Sequence, residues 1–86
     1  MNTIPVYLMP GLAASPSIFE KISLPEETFT IHYLEWILPH KNESLQNYAI
    51  RMCELITQED VILVGVSFGG ILVQEMARII SVKKII

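Results

Sequence analysis

The chain has 86 residues, enough for one small domain in which the share of surface buried on folding is low. Hydrophobic residues make up 51% and charged residues only 17%, which excludes disorder and leaves little polar material to cover a small globule, so the composition suggests a piece of something larger. The net charge is −3 and the Lys and Arg are scattered apart from Lys83 and Lys84, which offers no basic face to nucleic acid.

Along the chain, strand-like and helix-like segments alternate, the pattern of a mostly parallel sheet flanked by helices. Ile4 to Met9 is a short apolar run ended by Pro10-Gly11 and predicts a strand running into a turn. Ile4 to Ala14 has some likeness to a secretory signal, but it lacks a positive start and is interrupted by Pro5 and Pro10. Ser15-Pro16 reads as an N-cap with proline at the first helical position, opening a short helix through Ile22. After Pro25, Thr28 to Glu35 is a second strand candidate, and Trp36 to Asn42 a loop.

From Ser44 to Thr57, the apolar positions Leu45, Ala49, Met52 and Ile56 fall at helical spacing, with Ser44 as cap. Cys53, the only cysteine, excludes an internal disulfide and fits a reducing compartment, so a cytoplasmic location is expected. Its neighbours Met52 and Glu54 suggest no activating partner, and it reads as packing. Val61 to Val66 is almost wholly aliphatic, as in a central parallel strand covered on both faces. Phe68 to Ile80 turns helical without a linker, with Ile71, Leu72, Met76, Ile79 and Ile80 at three- and four-residue steps. Val82 to Ile86 begins a further strand. The longest near-apolar run, Val61 to Val73, is broken by glycines and too short to span a bilayer.

Gly65-Val66-Ser67-Phe68-Gly69 has the form G-x-S-x-G at the junction of that strand and helix. Three such fixed positions arise by chance in roughly 3% of chains this long, and the strand before and helix after narrow that further. The spacing has a chemical reason. Ser67 must occupy a tight, strained turn so that its hydroxyl projects from the carboxyl edge of the sheet, while Gly65 and Gly69 lack side chains that would collide across it. Gly70 would let the helix approach neighbouring strands. The backbone N–H of Phe68 then lies in the first helical turn, facing a developing oxyanion. A second donor is expected from the loop after a neighbouring strand, the N–H of Leu12 or of Gly11.

These residues resemble the α/β-hydrolase superfamily, with the elbow as the specific part of the likeness. The resemblance implies a three-layer α/β fold, incomplete here with about four strands of the sheet present, residues 1–86 forming the N-terminal part of a single domain. It further implies that the strand before the oxyanion loop lies beside the nucleophile strand. There are departures. The family commonly has His-Gly in the oxyanion loop where this chain has Pro10-Gly11, and nothing before Ile4 supplies the two leading antiparallel strands. The family runs serine, then acid, then His, and no residue after Ser67 is Asp or His. The catalytic acid and His are therefore expected beyond this sequence, and the fragment alone is expected to be inactive.

Other polar residues read as structural. His32 lies within a strand candidate and His40 in a loop, both before the serine, the wrong side for the family's base. Asp60 sits at the amino end of the nucleophile strand, away from the site, and Glu75 is carried off by the helix. Trp36 and Phe68 either line an acyl or aromatic pocket or pack in the core or under a lid. The expected activity is hydrolysis of an ester, thioester or similar acyl bond of a small molecule through acyl-Ser67, with no metal or organic cofactor. Acyl transfer to an alcohol or carrier thiol is the alternative within enzymes, and a non-catalytic ligand-binding module is the alternative outside them.

Overall fold

The computed structural model describes residues 3–11, 16–20 and 22–86. The chain folds as an α/β domain whose sheet has four parallel strands: β1 (Ile4–Met9), β2 (Phe29–Tyr33), β3 (Val61–Gly65) and β4 (Val82–Ile85), in the order β2-β1-β3-β4. Among the described residues, two α-helices, α1 (Leu45–Cys53) and α2 (Phe68–Met76), and a 3-10 turn at Pro16–Phe19 accompany the sheet.

Side chains of a strand alternate between faces, and β1, flanked on both sides, shows the consequence. Tyr7 and Met9 join one core with Val61 and Leu63 of β3 and the helix residues Ala49, Met52, Leu72, Val73 and Met76. Val6 and Leu8 face the other way and pack with Phe19, flanked by Ile62 and Val64. Both α-helices therefore lie against one face. The other is covered by the 3-10 turn and the segment after it. Phe19, only 2% exposed, anchors that cover; its burial is worth about 2 kcal/mol. The helix expected through Ile22 is only this one 3-10 turn, and its expected cap, Ser15, lies outside the described residues.

Ser44 caps α1 as expected, its Oγ accepting from the Asn47 N–H at 3.1 Å. Both helices stop short of the sequence pattern. After Cys53, Leu55 and Ile56 donate to the carbonyls three residues back, and after Met76, Arg78 and Ile79 do the same, so each final turn tightens out of α geometry. Ile56 remains buried nonetheless. The buried stripe of α2 runs through Gly69, Leu72, Val73 and Met76, whereas Ile71 and Ile79 are about half exposed. Apolar spacing alone fits either side of Leu72, and it is the packing on β1 and β3 that selects Val73.

The register places Met9 opposite Gly65. Parallel strands end on the same side, so the turns that leave β1 and β3 emerge next to each other at the carboxyl edge. β4 pairs with β3 through a shift at Val61/Ile62. No helix of the described residues is long and apolar enough to cross a membrane.

Candidate active site

Ser67 joins β3 to α2 with φ 57° and ψ −124°. The positive φ brings Cβ into conflict with the backbone, and a non-glycine residue held there costs on the order of 1–3 kcal/mol. The surroundings impose it. On one side the Val66 N–H donates to the Met9 carbonyl at 3.1 Å, and on the other Gly69 and Gly70 donate to the carbonyls of Val66 and Ser67, each at 2.9 Å. The chain must reverse between a strand end and a helix start with only Val66 and Ser67 available. Ser67 is exposed and its hydroxyl makes no capping hydrogen bond to α2.

The two flanking glycines answer to different neighbours. A Cβ on Gly65 would stand 2.5 Å from the Gly69 carbonyl oxygen and from the Gly70 Cα, inside the turn itself. A Cβ on Gly69 would strike the Pro10 carbonyl oxygen and stand 2.7 Å from that of Met9. The bareness of Gly69 thus lets the start of α2 lie directly across the end of β1. Gly70 is less demanding, since a Cβ there would meet Gly65 at an ordinary 3.5 Å.

Gly11 is the point where the first loop reaches the serine. A Cβ built on it would lie 3.6 Å from both the Ser67 Cβ and the Val66 carbonyl oxygen. The Phe68 N–H, in the first turn of α2, has no acceptor among the described residues. Leu12, the other expected donor, lies outside the described residues.

Trp36 ties these parts together. Its Nε1–H donates to the carbonyls of Pro10 at 3.1 Å and Gly11 at 2.8 Å. Its ring is stacked on Phe68, centroids 5.7 Å apart and planes 7° from parallel, and tilted against Tyr48 at 5.8 Å. The Tyr48 hydroxyl donates to the Ile37 carbonyl at 2.6 Å and accepts from the Ile37 N–H at 2.8 Å, clasping the loop after β2 onto α1. Burial pushes the Tyr48 phenol above its ordinary pKa, which keeps it the neutral donor this clasp requires. Trp36, Ile37, Pro39, Leu45, Tyr48 and Phe68 line an apolar groove of about 390 Å³. Sequence reasoning left Trp36 and Phe68 between core and pocket and missed Tyr48, whose signal was its place beside Leu45, Ala49 and Met52 on the buried face of α1.

The remaining polar residues are engaged elsewhere. His32 lies mid-strand, stacked on Tyr7 at 4.5 Å, and its buried Nε2 has no partner among the described residues. His40 is exposed and donates its backbone N–H to Glu43 at 2.9 Å. Asp60, in a positive-φ turn, accepts from the Ser81 hydroxyl at 2.6 Å. Glu75 accepts from Gln46 at 3.2 Å and pairs with Arg78 at 3.7 Å. Among the described residues, no three His, Cys, Asp or Glu are grouped to hold a metal.

Cys53 is buried, its thiol directed at the Met76 carbonyl at 3.8 Å, and burial pushes its pKa up to about 11. The folded thiol keeps its proton to higher pH than the unfolded one. The stability this contributes is intact below about pH 9 and is lost as the pH climbs toward 11. At pH 8, iodoacetamide is expected to alkylate Cys53 roughly a hundredfold more slowly in the native protein than in urea-unfolded chains. Equal rates would show that the thiol is not enclosed.

Comparison of the chain with protein-family models, curated proteins and solved structures gave no match.

Proposed function

We propose that this chain is the nucleophile-bearing part of a serine hydrolase of α/β-hydrolase type, which cleaves an ester, thioester or related acyl bond through an acyl-Ser67 intermediate. The observation that carries the reading is the strained backbone of Ser67 at the β3–α2 junction, with Gly11 packed against it. A serine with no catalytic task gains nothing from a conformation that glycine would adopt freely.

In this mechanism, Ser67 Oγ attacks the acyl carbonyl carbon while a histidine base takes its proton. The carbonyl oxygen becomes an oxyanion received by the Phe68 N–H and by a second amide from the Pro10–Gly11–Leu12 loop. Each such donor supplies about 3 kcal/mol of transition-state stabilisation. Collapse of the tetrahedral intermediate expels the alcohol or thiol, which takes up the base's proton, and water then hydrolyses the acyl-serine. The histidine and the acid that orients it follow the serine in this family; residues 68–86 contain no His, and their one acidic residue, Glu75, is bound to Gln46 and Arg78. The apolar groove beside Phe68 suits the acyl part of a small-molecule substrate, and the single free cysteine suits a cytoplasmic location.

Treating the full-length protein with a fluorophosphonate and sequencing the labelled peptide tests the proposal. An adduct on Ser67 is expected, and its absence rejects the mechanism.

A further inference from the structure

Trp36 makes one donor serve two successive carbonyls, Pro10 O and Gly11 O. A peptide unit is planar and trans, so its N–H points away from its C=O. Holding the Pro10 carbonyl against the indole therefore turns the Gly11 N–H of the same peptide unit away from the indole, and the same donor holds the Gly11 carbonyl. That Gly11 N–H is one of the two amides proposed above as the second oxyanion donor. Gly11 cannot hold it by itself, because glycine has the widest choice of φ and ψ.

The indole, by contrast, is held on several sides. Phe68 stacks on it, Tyr48 leans against it, and Tyr48 clasps Ile37, the residue that follows it in the chain. Phe68 carries the first oxyanion donor, so one ring system connects the two amides that must converge on the same oxygen.

We propose that Trp36 is a positioning residue: by holding the Pro10 and Gly11 carbonyls through its Nε1–H, it sets the Gly11 N–H for the oxyanion formed at Ser67. The proposal rests on the hydrolase reading above and goes beyond it by assigning the hydrogen bond of the indole, rather than its bulk, a role in the rate. A ring without an N–H would fill the same space and leave the two carbonyls unheld.

Saturation kinetics of fluorophosphonate labelling test this in the full-length protein. In that reaction Ser67 Oγ bonds phosphorus, fluoride leaves, the hydroxyl proton goes to the base, and the phosphoryl oxygen takes the oxyanion position. Trp36→Phe is expected to lower kinact about tenfold while leaving KI within about twofold, the signature of an interaction made in the transition state alone. If W36F does not fold, β-(3-benzothienyl)alanine at position 36, which replaces the N–H by sulfur in a ring of the same shape, is expected to give the same result. An unchanged kinact overturns the proposal. So does a raised KI with unchanged kinact, which would make Trp36 a wall of the pocket. A wild-type protein that forms no adduct at Ser67 removes the hydrolase reading and this proposal together, whereas equal labelling of wild type and variant removes this proposal alone.

Discussion

Replacing Ser67 by glycine is expected to abolish fluorophosphonate labelling, to lower any esterase kcat on the order of 10⁶-fold, and at the same time to make the protein more stable. On the proposed mechanism, the loss of turnover follows from the missing nucleophile. The gain in stability follows from the backbone, since φ 57° and ψ −124° strain any residue with a Cβ but not glycine. Relief of about 1–3 kcal/mol is partly offset by the extra freedom glycine gives the unfolded chain, about 0.4–1 kcal/mol, which leaves a net gain near 1 kcal/mol. Ser67→Ala separates the two effects, because it removes the hydroxyl and keeps the Cβ. It should be as inactive as Ser67→Gly and no more stable than the wild type. Thermal denaturation of the three proteins decides the matter: a Ser67→Gly variant less stable than Ser67→Ala would mean that the elbow is not strained.

Gly69→Ala is expected to destabilise the protein by about 3 kcal/mol or more and to suppress labelling of Ser67 in whatever fraction still folds. The added methyl would be driven into the carbonyls of Pro10 and Met9. Those are backbone atoms at the end of a central strand, so they cannot swing aside as a flexible side chain would. The helix start must lift away from β1, and that separates the Phe68 amide from the Pro10–Gly11 loop. Gly70→Ala is the control. Its methyl meets only ordinary contact distances, and alanine is a better helix former than glycine by about 1 kcal/mol, so this variant should match or exceed the wild type. Denaturant titration of both checks the contrast, and a Gly69→Ala protein as stable as Gly70→Ala would show that α2 does not cross the end of β1 as closely as described.

The parts of the fold that were legible in the sequence are those where one local rule acts alone. β1 spans Ile4–Met9 as its apolar run and the Pro10-Gly11 stop imply, and β3 gives way to α2 where the aliphatic run meets the G-x-S-x-G turn. The elbow was visible because so tight a strand-to-helix turn demands small residues at fixed positions. Helix ends were not, because the tightening after Cys53 and Met76 depends on which carbonyls remain unpaired in the folded chain. Nor was the face of α2, where Ile71 and Val73 are equally apolar and only the neighbouring strands decide between them. In the site, the packing of Gly11 on Ser67 requires β1 and β3 to be adjacent, which the resemblance implied and spacing alone does not. The bond from Trp36 to the first loop links two segments with no shared periodicity, and nothing in the sequence announces it.

The pairing of Met9 with Gly65 joins segments far apart in the chain, with β2 and α1 lying between them. Contacts of such long range form only after a large loss of chain freedom, and so they come late in folding. The two loops that surround Ser67 therefore cannot meet in a half-formed molecule, and the elbow does not bear its strain until the centre of the sheet has closed. A partly folded chain would carry Ser67 on an ordinary flexible backbone, unstrained until those strands have paired.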